Sequence, residues 1–393
     1  MKKLSKLIYE LCPNGVDYKE LEEIAFIGTG NSNRVDAEEG GEYPFFVRSK
    51  QVMRSRKFSF DEEAIIIPGE GGIGEIFHYM NGKYDLHQRA YRISFKDNKV
   101  NTKFAYYYLI SNFKKYILMK AVTATVISIR RPMIASFLLP LPPLPVQEEI
   151  VRILDTFTAL ETELEAELAA RTKQYEHYRE ELLGLEVSNV LKSEQIDTTK
   201  RGRNNKSTDS VLMRIDELCH IQRGRVMSKD YLRDNAGIFP VYSSQTENQG
   251  VFGYINSFDF DFESLTWTTD GANAGSIFYH NQEKFSITNV CGLLRVKSPK
   301  INTKFLYYAL QNTAKEYVNY GMGNPKLMCN VMGRVKIIVP PLAVQEKIVS
   351  ILDRFDALVN DLKSGLPAEI ALRRKQYEYY RNKLLTFKPK PTD

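Results

Sequence analysis

Few residues in this chain are spaced for chemistry, and most of those groupings fail on inspection. Gly69, Gly71 and Gly74 in GEGGIG match the G-x-G-x-x-G spacing and follow the apolar run AIIIP. A dinucleotide site also needs a helix after the glycines and an acidic residue beyond the next strand. The continuation EIFHYMNGKYDL reads as strand and turn instead, and DGANAG, the matching place further along, lacks the spacing. These glycines are better explained by tight turns or close backbone approach. Cys12, Cys219, Cys291 and Cys329 are scattered, without a CxxC pair or a histidine cluster. Structural zinc needs four converging ligands, so buried thiols in a reducing compartment are the expectation. Asp61 and Glu63 lack a nearby lysine in nuclease-like spacing, and no Walker lysine loop, NPPY or DPPY motif, or Ser/His/Asp signature occurs. What remains is a set of forked and planar hydrogen-bonding side chains in turn-like stretches, suited to phosphates and base edges. In VRSKQVMRSRK they are Arg48, Lys50, Gln51, Arg54 and Arg56, joined by Arg89, Arg130 and Arg131. Further on they are Arg223, Arg225, Gln245, Asn248, Asn273, Asn324 and Lys326.

The elements that position these residues are set by an internal repeat. PPLPVQEEIVRILDTFTAL (142–160) returns as PPLAVQEKIVSILDRFDAL (340–358), RTKQYEHYREELL (171–183) as RRKQYEYYRNKLL (373–385), and NTKFAYYYL (101–109) as NTKFLYYAL (302–310). The chain is thus two copies of one unit, each a variable region followed by a long helix. Within the variable regions, runs rich in Ile, Val, Phe, Tyr and Thr alternate with Gly, Asn and Asp. They predict an α+β domain with a mixed, mostly antiparallel sheet plus short helices, including a hairpin turn at Asn81-Gly82. The boundaries read as an N-terminal helix over 1–17, domains over 18–141 and 211–339, helices over 142–186 and 340–387, a polar linker over 187–210 and a tail over 388–393. KRGRNNK in the linker could touch phosphates.

Both helices carry a four–three apolar seam. The first runs through Val146, Ile150, Ile153, Phe157, Leu160, Leu164, Leu168, Tyr175, Tyr178 and Leu182, with Arg171 in the odd place. The second runs through Val344, Ile348, Ile351, Phe355, Leu358, Leu362, Leu366, Ile370, Tyr377, Tyr380 and Leu384, with Arg373 in the odd place. Two such seams are expected to bury each other as an antiparallel, pseudo-two-fold coiled coil, with Pro367 kinking or restarting the second helix near Ser364 or Leu366. Two similar heads with different polar residues would then face an asymmetric two-part DNA site, since duplex DNA has matching local dyads. A two-headed protein-binding scaffold is the alternative.

The charge balance, 54 Lys+Arg against 48 Asp+Glu for a net +6, permits nucleic-acid binding without demanding it. No run of eighteen apolar residues occurs, and the opening MKKLSKLIYELCPNG reads as a short helix and not as a signal peptide, so a cytoplasmic protein without a membrane partner is expected.

The joint occurrence of PPLxxQExIVxILDxF, RxKQYEYYRxKLL, SGLPAEI, the opening ELCPNGVDYKELEEI and the two-copy layout resembles the specificity subunits of type I restriction–modification systems, over nearly the whole chain. The resemblance implies two target-recognition domains and a pair of spacer helices that dock two DNA adenine methyltransferase subunits. It implies S-adenosylmethionine on those partners, ATP and magnesium on restriction motor-nuclease subunits, and neither cofactor nor catalytic residue on this chain. It also implies that tetrads such as Thr162–Glu165 and Ala166–Ala169 tune the unread spacer of the target.

Overall fold

The computed structural model describes residues 2–72, 74–120, 128–196, 210–321, 323–361 and 364–391. Two compact units emerge: Met1–Glu165 together with Glu369–Asp393, and the continuous stretch Ala166–Ala368. Leu362 and the KRGRNNK run fall outside the described residues.

Unit 1 contains the strands β1 (Asp17–Glu20), β2 (Ala25–Thr29), β3 (Tyr43–Phe46), β4 (Met53–Ser55), β5 (Phe60–Pro68), β6 (His78–Leu86), β7 (Ala90–Phe95) and β8 (Leu138–Leu141). A six-stranded sheet runs in the order β2–β7–β5–β6–β3–β4, and β1 pairs with β8 separately. Within the sheet only the β3–β6 pairing is parallel. The apolar run in β5 is continuous because both faces of the strand are covered. Ile65 and Ile67 pack with Leu109, Phe113 and Ile117 of the helix Thr102–Lys120, while Ala64 and Ile66 pack with Phe46, Tyr84 and Leu86. The expected turn at Asn81-Gly82 is not formed. Both residues lie inside β6, opposite Glu63 and Glu62, with Gly82 at φ +114°. Nine residues of cross-strand pairing outweigh the local turn preference of Asn-Gly.

Unit 2 repeats the plan with β9 (Val211–Arg214), β10 (Cys219–Arg223), β11 (Ala236–Tyr242), β12 (Val251–Ile255), β13 (Ser264–Thr268), β14 (Ile277–His280), β15 (Ser286–Ile287), β16 (Cys291–Val296) and β17 (Lys336–Val339). The sheets are β10–β16–β13–β14, β12–β11–β15 and β17–β9. Leu265 and Trp267 of β13 share a core with Phe305, Leu306 and Leu310 of the helix Thr303–Thr313. The fold is α+β in both units.

The first long helix runs Leu144–Ile196, ten residues past its expected end at 186. The second is two helices, Leu342–Asn360 and Leu366–Leu384. Pro367 is the second residue of the restarted helix, where a missing N–H costs nothing. Gly365 closes the break, since a Cβ there would lie 2.5 Å from the Ala357 carbonyl oxygen.

Helix packs on helix in antiparallel fashion inside each unit. In unit 1, Phe157 stacks on Tyr380 at 5.6 Å, Arg374 donates to Glu161 at 2.6 Å, and Val146, Ile150, Ile153 and Leu154 share a cluster with Leu384 and Leu385. In unit 2, Tyr178 and Tyr175 meet Phe355 at 5.4 and 6.3 Å, and Leu168 and Leu182 share the cluster that holds Val344, Ile348, Leu352 and Val359. Leu160 is half-buried. Ile351 and Leu358 depart from the expected seam: they are 40% and 37% exposed, and Leu352 and Val359 are buried in their stead. A helix turns once in 3.6 residues, so a 3.5-residue reading drifts, and this helix must also face the helix Thr303–Thr313.

Residues 388–390, expected as part of the tail, bridge back to Val16 in unit 1. Val16 donates its N–H to the Lys388 carbonyl at 2.9 Å, Lys390 donates its own to Val16 at 3.0 Å, and Tyr18 donates its hydroxyl to Phe387 at 3.0 Å. Gly15 has φ +91°, and a Cβ there would be 2.5 Å from the Lys388 oxygen.

Candidate nucleic-acid interface

The repeated motifs turn out to be the two halves of a clamp between helix and sheet domain. Gln147, fully buried, accepts from the Asn101 N–H at 2.8 Å and donates to the carbonyls of Lys99 and Pro142 at 3.0 and 2.7 Å. Gln345 does the same with Asn302, Lys300 and Pro340 at 2.8, 2.9 and 2.7 Å. Lys103 pairs with Asp155 at 2.8 Å while Tyr107 donates to it at 2.6 Å; Lys304, Tyr308 and Asp353 repeat this at 2.9 and 2.6 Å. The VQE, ILD and NTKF motifs recur together because they bond to one another. Each sheet domain is thereby fixed to its helix, and its loops are free to vary.

Backbone hydrogen bonds draw loops of each unit together. In unit 1, His87 donates its N–H to Phe46, Gly69 to Arg89, and Ile129 to Gly69, at 3.0, 2.9 and 2.9 Å. This draws the loops after β3, β5 and β6 together with the segment before the short helix Arg131–Ala135. In unit 2 the same links run from Thr288 to Tyr242, Thr269 to Val290, and Leu327 to Thr269, at 2.9, 3.2 and 3.0 Å. The glycine loop after β5 carries positive φ at Gly71, Gly72 and Gly74 and leads into a strand, so the dinucleotide topology is not present there.

Thirteen of the fifteen polar candidates map to these linked loops or the residues beside them, whereas Arg54 lies within β4 and Arg56 just past its far end, and the candidates differ in what holds them. In unit 1, Arg48, Gln51 and Arg54 line a cleft of about 870 Å³ together with Arg34, Glu70 and His87. Arg48 and Arg89 both pair with Glu70, at 2.9 and 3.1 Å, and Arg56 pairs with Glu38 at 2.8 Å. Arg54 is engaged by the backbone just before β3, donating to the Gly41 and Glu42 carbonyls at 2.9 and 2.7 Å. Lys50 and Arg130 are exposed, and Arg131 reaches the Ile27 carbonyl at 3.4 Å. In unit 2, Arg223 donates to the Asn289 carbonyl at 3.0 Å, and Arg225 to Asp259 and the Tyr231 hydroxyl, both at 3.1 Å. Gln245 bonds the Val251 carbonyl, and Asn273 donates to Thr246 at 3.0 Å. Asn248 is exposed with φ +50°, and Asn324 and Lys326 are exposed on the loop bonded to Thr269 and Gly271.

Sequence reasoning passed over Glu70, Arg34 and His87. Glu70 stands inside the glycine loop already singled out, and its place between Arg48 and Arg89 is a tertiary fact. Hydrogen bonds from Arg48 and then Arg89 hold its carboxyl below the usual carboxylate range. Burial, reinforced by Arg48 and Arg89, lowers the His87 pKa, so its ring is neutral at pH 7. Among the described residues, no group of three or more His, Cys, Asp or Glu side chains could hold a metal, and no helix is long and apolar enough to cross a membrane.

Residues 13–173 and 208–372 match the family described as the type I restriction modification DNA specificity domain. A candidate type I specificity subunit from Mycoplasma pneumoniae is 43% identical over 247 residues, covering 63% of this chain and 92% of that protein. The specificity subunit of the type I restriction enzyme MpnII, from the same organism, is 42% identical over 217 residues, covering 55% of this chain and 62% of that one. Among solved structures, a type I restriction–modification S subunit from M. genitalium is similar in fold, with a TM-score of 0.62 at 18% identity, covering 94% and 96% of the two chains. A chain from a structure of an assembled type I system gives a TM-score of 0.55 at 14% identity over 95% and 98%.

Proposed function

The chain belongs to the type I restriction–modification DNA specificity family, and from that premise we propose that it recognises an asymmetric, two-part DNA target and brings methyltransferase and restriction subunits to it. Membership makes it the DNA-specificity component of the complex, the non-catalytic one. The observation that supports the finer reading is the contrast within each unit. The clamp residues are the same in both, down to hydrogen-bond partners, while the loops that hydrogen bonds draw together carry different polar side chains. A shared frame with two dissimilar reading surfaces suits two dissimilar half-sites. In this reading the chain takes no cofactor of its own. S-adenosylmethionine belongs to two methyltransferase subunits, and ATP and magnesium to the restriction motor-nuclease subunits. The complex works in the cytoplasm, on double-stranded DNA.

Methylation profiling of the complex tests this. Exchanging residues 18–140 for another such domain is expected to change one half of the methylated target and leave the other half alone. A change in both halves, or methylation with no split consensus, would refute it.

A further inference from the structure

Among the arginines of the unit 1 cleft, two share one carboxylate. Glu70 lies between Arg48 and Arg89, its Oε2 2.9 Å from the first guanidinium and its two oxygens 3.2 and 3.1 Å from the second. All three side chains are about half exposed. Their backbones are tied together: Gly69 donates to the Arg89 carbonyl at 2.9 Å, and a Cβ on Gly71, whose φ is +74°, would touch the Arg48 oxygen at 3.4 Å.

A cluster built only to hold phosphate gains nothing from a carboxylate at its centre, because like charges repel. A base edge is different. In the major groove a C·G pair offers guanine O6 and N7 as acceptors and cytosine N4 as a donor, side by side. An arginine next to a glutamate offers the complement, donors beside an acceptor. A carboxylate accepts about four hydrogen bonds, and the two arginines supply three of them, which leaves a place for an exocyclic amine. The second unit carries an acid at the equivalent point. Asp270 follows Thr269 as Glu70 follows Gly69, both anchors bonded to the same two neighbouring segments, and the Asp270 Oδ1 is buried without a hydrogen-bond partner.

Resting on the DNA-reading function proposed above, we infer that the Arg48–Glu70–Arg89 cluster reads a C·G pair in the major groove, with Glu70 accepting from cytosine N4 and a flanking guanidinium donating to guanine. Glu70 is then a specificity-determining residue as well as the group that orients both arginines.

The test uses the complex reconstituted with its methyltransferase subunits and a randomised duplex library. Glu70→Gln keeps the shape but exchanges an acceptor for a donor. Discrimination at a single C·G position of one half-site is expected to fall from about 10- to 100-fold to near parity, with the other half-site and the spacer unchanged. The unmutated complex supplies a measurement independent of variant folding. N4-methylcytosine at that one position is expected to weaken its binding by a similar factor, and E70Q is expected to be indifferent to it. If E70Q keeps the original target and only binds every duplex more weakly, or if the unmutated complex tolerates N4-methylcytosine throughout that half-site, the inference is overturned. Failure of the unmutated complex to select any split target would instead bring down the DNA-reading function itself.

Discussion

Replacing Gln345 by alanine removes three hydrogen bonds from a fully buried site, and the chain carries a built-in reporter for the result. The Asn302 N–H and the carbonyls of Lys300 and Pro340 lose their partner together. At about 1 kcal/mol net for each bond, the expected loss is about 3 kcal/mol. Trp267 is the only tryptophan in the sequence, is completely buried in the same core that holds Ile348 and Leu352, and donates its indole N–H to Leu327 at 2.9 Å. Its emission therefore follows unit 2. With a denaturant slope of about 2 kcal/mol per molar urea, the midpoint should fall by about 1.5 M. Gln147→Ala is the control: the same three bonds are lost, but in unit 1, so the Trp267 midpoint should hold while amide exchange quickens around Lys99–Tyr107. A Q345A shift below about 0.3 M, or an equal shift from Q147A, would refute the claim that each clamp secures its own domain.

Two other outcomes follow from particular contacts. Glu149 is almost wholly buried, and hydrogen bonds from Arg152 and Lys3 lower its pKa from 4.5 to about 2. A depressed carboxyl stabilises the fold above its unfolded pKa, and that contribution disappears as pH falls from about 4.5 towards 2. Glu149→Gln should therefore flatten the acid limb of the thermal midpoint measured by circular dichroism, and identical slopes for the two proteins would count against it. Deleting Thr162–Glu165 removes about 6 Å of helical rise, which is close to two base-pair steps. The methylated target should keep both half-sites and lose about two base pairs of unread spacer, and an unchanged spacer would remove the ruler.

The sequence made the fold legible where one residue's role repeats two hundred positions later. The doubled VQE, ILD and NTKF motifs marked two equal units before any contact was known. That Gln147 meets Asn101, or Asp155 meets Lys103, was not legible, because nothing in local pattern says which polar residues will face each other across a core. Asn81-Gly82 misled for the opposite reason: a strong local preference lost to cross-strand pairing along β6. Ile351 and Leu358 were placed on the seam by a spacing that cannot distinguish a row facing a helix from one facing a sheet domain as well. Composition and turn signals singled out Arg48 and Arg89 in the loops after β3 and β6. Glu70 could not be found that way, since a lone acid in a loop looks like a solvated charge until its two arginines are seen beside it.

The bridge between Val16 and residues 388–390 bears on how the molecule is made. Unit 1 draws on residues near both extremes of the chain, whereas Ala166–Ala368 is uninterrupted. A ribosome delivers the amino end first, so the segment up to Glu165 must wait for Glu369–Lys390 to be made before unit 1 can close. The middle is free to settle ahead of it. A frameshift or early stop just past Ala368 would then spare the later-made domain and leave the earlier-made one gaping, its apolar lining of Leu4, Val16 and Phe104 open to chaperones and proteases.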